Sequence, residues 1–527
     1  MKKTYIKKNI VLISSLVAGL SFVSCNTFLD KDPDNRLEIR TPDDATKLLV
    51  SAYPEAHPAY LLEMYSDNTD ELEYSSWSAA DRFQEQAYKW EDITETHGPE
   101  TPQTLWNKHY IVVTTANEVL KHIASVADKS AYRGQIAEAK LCRAYAMFQL
   151  ANVFCQAYSP ETAKTDLGLP YPTMPEDRPG KIIHKRGTLE ELYKNIEKDL
   201  TEGIADLPNN YRQPKFHFNT QAAHAFAARF YLYAKQYEKA IEHADRVLGT
   251  SPASLLRNWN AWSRQPLSAN VQPDYFVQAS QPANLFLQVV VTEWGVISIP
   301  TLRGAKYAHG EFLSTTETLH ADGPWGTSNT VFNYVPSNNS GVSKYAIRKF
   351  PFKSLITDRQ AGTGVPYSEY AVFTTDETLL VRAEAKAMLG RYEEALADLN
   401  LELSVFSKTK VQLTLKQIQD FYKGVNYYTP KRPTVKKAIH TTPALEAETQ
   451  EPLMQAILQL RRLITLHDGL RLQDVKRYGI TIYRRQVDVN QVVTAVTDSL
   501  PARDPRLAIQ IPQDVIIANL EANPRVK

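Results

Sequence analysis

"AKQYEKAIEHADRVL", residues 234–248, has a counterpart in "MLGRYEEALADLNLE", residues 388–402, with Tyr237 falling on Tyr392, Glu238 on Glu393 and Ala240 on Ala395. A small-residue run precedes each copy, "AAHAFAARFYLY" (222–233) before the first and "LLVRAEAKA" (379–387) before the second. Each unit therefore reads as helix-turn-helix. Its alanines let two helices approach closely, and its tyrosines fill the groove beside the turn.

The spacing of Ala228, Tyr231, Ala240 and Ala244 resembles the tetratricopeptide pattern. About 150 residues separate the two copies, which is abnormal for a contiguous solenoid. An irregular excursion is expected between them, roughly 250–368, rich in Pro, Ser, Asn, Gly and Trp, with short strand-like runs such as "NLFLQVVV" (284–291). Loops of this length are functional or disordered. The aromatic content points to an ordered one. A second irregular stretch, 424–450, is polar and proline-punctuated with no task evident.

Helical signals dominate outside the excursion. "TPDDATKLLVSAY" has Thr41 as an N-cap, Pro42 at the first helical position and two acids in the first turn. "WNKHYIVVTTANEVLKHI" (106–123) and "GQIAEAKLCRAYAMFQLANVF" (134–154) carry apolar residues at three- and four-residue intervals. Thr188 and Glu191 stand in capping-box spacing at the head of a helix that stops before Pro208. Of three cysteines, Cys142 and Cys155 fall on one helix, about 20 Å apart and out of disulfide range. Both read as buried core thiols.

The amino terminus has its own grammar. Lys2, Lys3, Lys7 and Lys8 precede an uncharged run from Ile10 to Val23, the charged head and apolar middle of a secretory signal. The run is shorter than the ~20 residues a spanning helix needs. Phe22-Val23-Ser24-Cys25 resembles the lipobox of bacterial lipoproteins, with Phe22 where leucine is usual, which implies lipidation of Cys25. Ordinary cleavage near Ser24 is the alternative. Acyl chains bury about 0.8 kcal/mol per methylene and would hold an otherwise soluble body to a membrane.

Over 527 residues the chain carries 60 lysines and arginines against 59 acids. Loss of residues 1–24 leaves 56 against 59, a net charge of −3. Near-neutrality argues against a nucleic-acid partner. Two domains or one large helical array are expected at this length.

Together the pieces resemble the SusD/RagB-type outer-membrane lipoproteins of Bacteroidetes. "CNTFLDKDP", "TPDDATKLLVSAY", "WNKHYIVVTTANEVL", "DLGLPYP", "FNTQAAHAFAARFYLYAKQYEKAI", "TLLVRAEAKAMLGRYEEALADLN", "RRLITLHDGLRLQDVKRYG" and "IPQDVIIAN" follow in the family's order. The resemblance implies a mainly α, SusD-like fold, with tetratricopeptide-like hairpins as scaffold plus long irregular loops and a few short strands. It divides the chain into a signal (1–24), a lipidated linker (25–42) and one SusD-like domain (43–527). Hairpin scaffold is expected at about 106–249 and 369–480, with the ligand-binding excursion at about 250–368. One departure stands out: Leu460 and Ile464 occupy positions where the family commonly has glutamates, while Arg461, Arg462, Asp468, Gly469, Arg471, Asp474 and Arg477 stay on pattern. The ion pairs there are expected to differ from the usual arrangement, or the arginines to face solvent.

Catalytic motifs are missing from the sequence: there is no phosphate-binding glycine loop, HExxH, CxxC or GxSxG. His217, His224 and His243 lack metal-ligand spacing. The expectation is a binding protein with no enzyme activity, cofactor or metal. Sugars are held by flat aromatic faces with a few amides and carboxylates, and "SDNTDELEYSSWSAADRF" (66–83) supplies Asn68, Asp70, Tyr74 and Trp77. A packed loop is the competing reading of that stretch. By resemblance, Trp294, Tyr307 and Trp325 in the excursion join the candidates, with a structural role as the competing reading of each; Trp259 and Trp262, spaced like neighbours on a strand or loop, are weaker, and Trp90 and Trp106 read as core. The family further implies capture of an oligosaccharide for a SusC-like TonB-dependent transporter, the helical side on the barrel and the loop side toward the nutrient. Peptide capture as in the RagB branch, or a helical docking scaffold without small ligand, are the alternatives.

Overall fold

The computed structural model describes residues 39–73, 82–175, 184–207, 211–268, 270–299, 303–330 and 344–525. The signal, Cys25 and most of the linker lie outside the described residues. Thr41 opens the first described helix, α1 (Pro42–Leu49). Its hydroxyl accepts the Asp44 amide while the Asp44 carboxylate accepts the Thr41 amide, a reciprocal cap. α2 (Ala59–Tyr65), the short strand β1 (Asp70–Leu72) and α3 (Arg82–Tyr88) follow. The long helices α4 (Pro102–Ser125) and α5 (Arg133–Phe154) pack side by side, and α6 (Leu189–Ala205), capped by Thr188 and Glu191 as the spacing predicts, packs on α5.

The first repeat unit forms the hairpin α7 (Thr220–Tyr233) and α8 (Tyr237–Leu248). The excursion then lays down α9 (Trp259–Ser263), α10 (Val271–Val277), β2 (Asn284–Val291), α11 (Trp294–Ile297), β3 (Tyr307–Ala308), α12 (Glu311–Thr316), β4 (Lys353–Asp358) and β5 (Thr363–Thr374). The second unit is α13 (Thr375–Met388) with α14 (Tyr392–Phe406). Although far apart in sequence, the two hairpins are neighbours in space: α8 packs on α13. Arg382 of α13 joins them, donating to Asp398 on α14 (2.7 and 2.9 Å) and to Asp245 on α8 (2.7 Å). The solenoid is thus continuous in space, and the excursion loops out from between its units.

After α14 come α15 (Leu415–Gly424), α16 (Gln450–Ile464), α17 (Arg471–Tyr478), β6 (Ile482–Val487), β7 (Val493–Leu500) and α18 (Gln513–Ile517). Two small sheets tie the loops to this frame. β2, β5 and β4 form an antiparallel sheet with β5 central. Phe286 and Phe373 from it pack edge-on to Tyr145 of α5 (ring centroids 6.0 and 5.9 Å) and so seat the sheet on the helices. The other sheet has the order β3-β1-β6-β7, β1 running parallel to β6 and antiparallel to β3. It brings residues near position 70 beside residues near 307 and 485. Cys142 and Cys155 are buried free thiols, and Trp90 and Trp106 lie in the core. Trp259 and Trp262, expected on a strand or loop, sit on α9 and are fully buried.

Candidate ligand-binding region

β1 follows α2 within the stretch singled out in the sequence, 66–83, and its register pairs Asp70 with Ala308 and Glu71 with Tyr307. Asn68 is buried: its amide donates to Glu63 (2.9 Å), its side-chain oxygen accepts from Arg462 (2.8 Å), and its carbonyl accepts from His309 Nδ1 (3.0 Å). Asp70 is buried in a two-pronged pair with Arg485 (2.9 and 3.0 Å). Trp294 donates its indole N–H to the His467 carbonyl (2.9 Å) and stacks on Tyr60 at 4.7 Å. The Tyr307 ring packs on Tyr88 at 4.7 Å and its carbonyl accepts from Gln84 (2.9 Å). Trp325 is buried against Gly323, where a Cβ would stand 2.5 Å from the indole.

The structure therefore gathers Asn68, Trp294 and Tyr307 around one cavity, but the cavity measures about 10 Å3, water-sized. Trp325 stands apart from it. All five side chains are at most 4% exposed, so the open stacking faces expected of the three aromatics are covered by protein. Tyr74 and Trp77 lie outside the described residues.

Beneath β1 is a buried ion network that sequence reasoning missed. Asp67 is clasped by Arg471 (2.7 and 2.8 Å); Glu317 contacts Lys437 (2.5 Å), Arg485 (2.7 Å) and Arg462 (3.3 Å). Burial would raise both carboxyls, yet the surrounding cations win: Asp67 is held well below its ordinary range and Glu317 down to about 2. These pairs join chain positions up to 404 residues apart. The departure on α16 is resolved in the same way. Leu460 and Ile464 are core residues, and Arg461 and Arg462 stay buried by drawing acids from elsewhere: Asp474 (3.1 Å) and Glu377 (3.2 Å) for Arg461, Glu317 and Asp67 for Arg462. Of the two readings offered by the sequence, the rearranged pairing is the one found.

Two larger concavities are open to solvent. One, of about 420 Å3, lies on the outer face of the three-stranded sheet and is mainly apolar, with Val50, Val289 and Leu355 exposed. The other, of about 450 Å3, lies between α15 and α16 and is of mixed polarity, with Tyr427 in its wall. Among the described residues no group of three or more His, Cys, Asp and Glu side chains could hold a metal ion.

Residues 27–232 match the SusD-like family described as "Starch-binding associating with outer membrane". No curated protein matches the chain in sequence. Among solved structures, a SusD superfamily protein from Bacteroides thetaiotaomicron VPI-5482 has a TM-score of 0.63 at 19% identity, covering 92% of this chain and 100% of its own. A SusD-like carbohydrate binding protein from Bacteroides vulgatus ATCC 8482 has 0.59 at 17% identity, covering 91% and 96%. A SusD superfamily protein from Bacteroides fragilis has 0.61 at 16%, covering 91% and 98%. At these identities the likeness is one of fold. The chain is thus SusD-like, in sequence over residues 27–232 and in fold over 92% of its length.

Proposed function

We propose that the chain is a cell-surface lipoprotein that captures an oligosaccharide and delivers it to a SusC-like TonB-dependent transporter of the outer membrane. The observation that carries this reading is the match of residues 27–232 to a family described as starch-binding and associated with the outer membrane. We assign attachment to an acylated Cys25; no helix among the described residues is long and apolar enough to cross a membrane. Ligand contact is assigned first to Tyr74 and Trp77, which follow β1 in the chain. The buried Asn68, Asp70, Trp294 and Tyr307 serve as the rigid frame from which that segment issues, and Trp325 as packing of the same loop side. Binding on a fixed frame wastes little free energy on ordering the protein. Delivery then needs capture and release, with no covalent step.

Calorimetric titration of oligosaccharides into protein lacking residues 1–25 tests the reading. Trp77→Ala is expected to weaken binding by about 1–3 kcal/mol, the range for a ring stacked on an aromatic side chain. Unchanged affinity removes Trp77 from the site, and a parent protein that binds no oligosaccharide overturns the reading.

A further inference from the structure

We propose that the groove between α15 and α16 is a second oligosaccharide-contact site, with the Tyr427 ring as its platform; this deepens the saccharide reading above and rests on it. At about 450 Å3 the groove is of small-ligand size. The cavity around Asn68 and Trp294, at about 10 Å3, is not.

Tyr427 is 47% exposed, yet it is pinned. Its hydroxyl donates to Glu451 (2.6 Å), and the Lys436 ammonium lies 4.3 Å from its ring centroid while donating to the Tyr422 carbonyl (2.8 Å). The backbone beneath is closed by the Tyr428 amide on the Lys436 carbonyl (2.8 Å). The next side chain, Tyr428, turns inward: its hydroxyl accepts from Arg485 (3.0 Å) and its ring lies 3.4 Å from the Lys437 ammonium. The platform is thereby bolted to the buried ion network under β1. The bond to Glu451 pushes the Tyr427 hydroxyl up to about 12, so the ring stays neutral.

Three lysines (Lys416, Lys423, Lys436) and three acids (Asp420, Glu448, Glu451) line the groove. That balance selects neither an anion nor a cation. A half-covered aromatic ring among charges of balanced sign fits a neutral ring with an apolar C–H face and hydroxyls at its edge, which is a pyranose. A fixed ring also loses no rotamer freedom when the ligand arrives.

The test titrates protein lacking residues 1–25 with heptasaccharides of the α-glucan, β-glucan, xylan and mannan series. For the best-bound series, Tyr427→Ala is expected to weaken binding about tenfold, as loss of one stacking contact does. Tyr427→Phe, which keeps the ring and removes only the bond to Glu451, is expected to stay within about threefold of the parent. Unfolding midpoints of both variants show whether the fold is intact. Parent binding with Tyr427→Ala equal to the parent overturns the second site and leaves the saccharide reading standing. A parent that binds none of the four series overturns both. Loss of binding by Tyr427→Phe as severe as by Tyr427→Ala overturns the platform role of the ring.

Discussion

Glu100 is buried, and a single oxygen of its carboxylate accepts both the Thr292 hydroxyl (2.9 Å) and the Glu293 amide (2.7 Å). Burial outweighs those two bonds and pushes the carboxyl up to about 7. A carboxyl raised in the folded state favours folding while protonated. Its contribution is complete below the ordinary glutamate value near 4.5 and is lost as pH climbs to about 7, a loss of about 3 kcal/mol at most. Glu100→Gln keeps an oxygen for both donors and has no proton to lose. Urea unfolding at pH 5 and pH 8 is therefore expected to show a smaller drop in stability for this variant than for the parent; an equal drop contradicts the assignment. Arg485 poses the opposite case, since its removal strands Asp70 in the interior and takes one of three cations from Glu317. Arg485→Met is expected to cost about 3–5 kcal/mol, read as a lower urea midpoint. Single residues were legible where burial follows local pattern, as for Trp90, Trp106 and the two cysteines. The burial of Trp294 and Tyr307 rests on distant chain, with Tyr60 and His467 against the first and Tyr88 against the second, so no local pattern announces it.

Helix ends were the most legible elements, because a cap is a local bond. Thr188 accepts from Glu191 while the Glu191 carboxylate accepts from the Thr188 amide, at 3.2 and 2.9 Å. Thr188→Ala is expected to destabilise by about 1 kcal/mol, checked by thermal or urea unfolding. The repeat was legible as two hairpins, and β2 covers the same residues as the strand-like run 284–291. That α8 would meet α13 was not, since nothing within either copy points across the excursion. Across the meeting Arg382 reaches Asp245, and Ala240 and Ala244 of α8 are fully buried. Ala244→Leu at this fully buried position is expected to cost about 1–3 kcal/mol through overpacking. A neutral result in urea unfolding would mean that α8 is not so tightly packed there. The acids of α16 were also illegible: its arginines are satisfied by side chains from other elements, which no spacing within the helix could announce.

At the scale of the whole molecule, a helical frame holds two small sheets, and the loops they tie down carry the proposed ligand surface. The proposed acylation of Cys25 would hold that body to a membrane, and Cys25→Ala is expected to shift the protein from the membrane pellet to the soluble fraction. Retention in the pellet would mean that another feature anchors it. The likeness to SusD-like proteins was legible because its pieces occur in order along the chain. The open surface was less so, because exposure depends on what packs above a residue, as Tyr427 in an unassigned stretch and Trp294 in a favoured one both illustrate. The central claim is capture of a saccharide, and the most direct measurement is a glycan array probed beside a peptide library with protein lacking residues 1–25. Retention on oligosaccharides of one linkage class, with none on peptides, is the expected result; retention on peptides alone, or on neither, would contradict it.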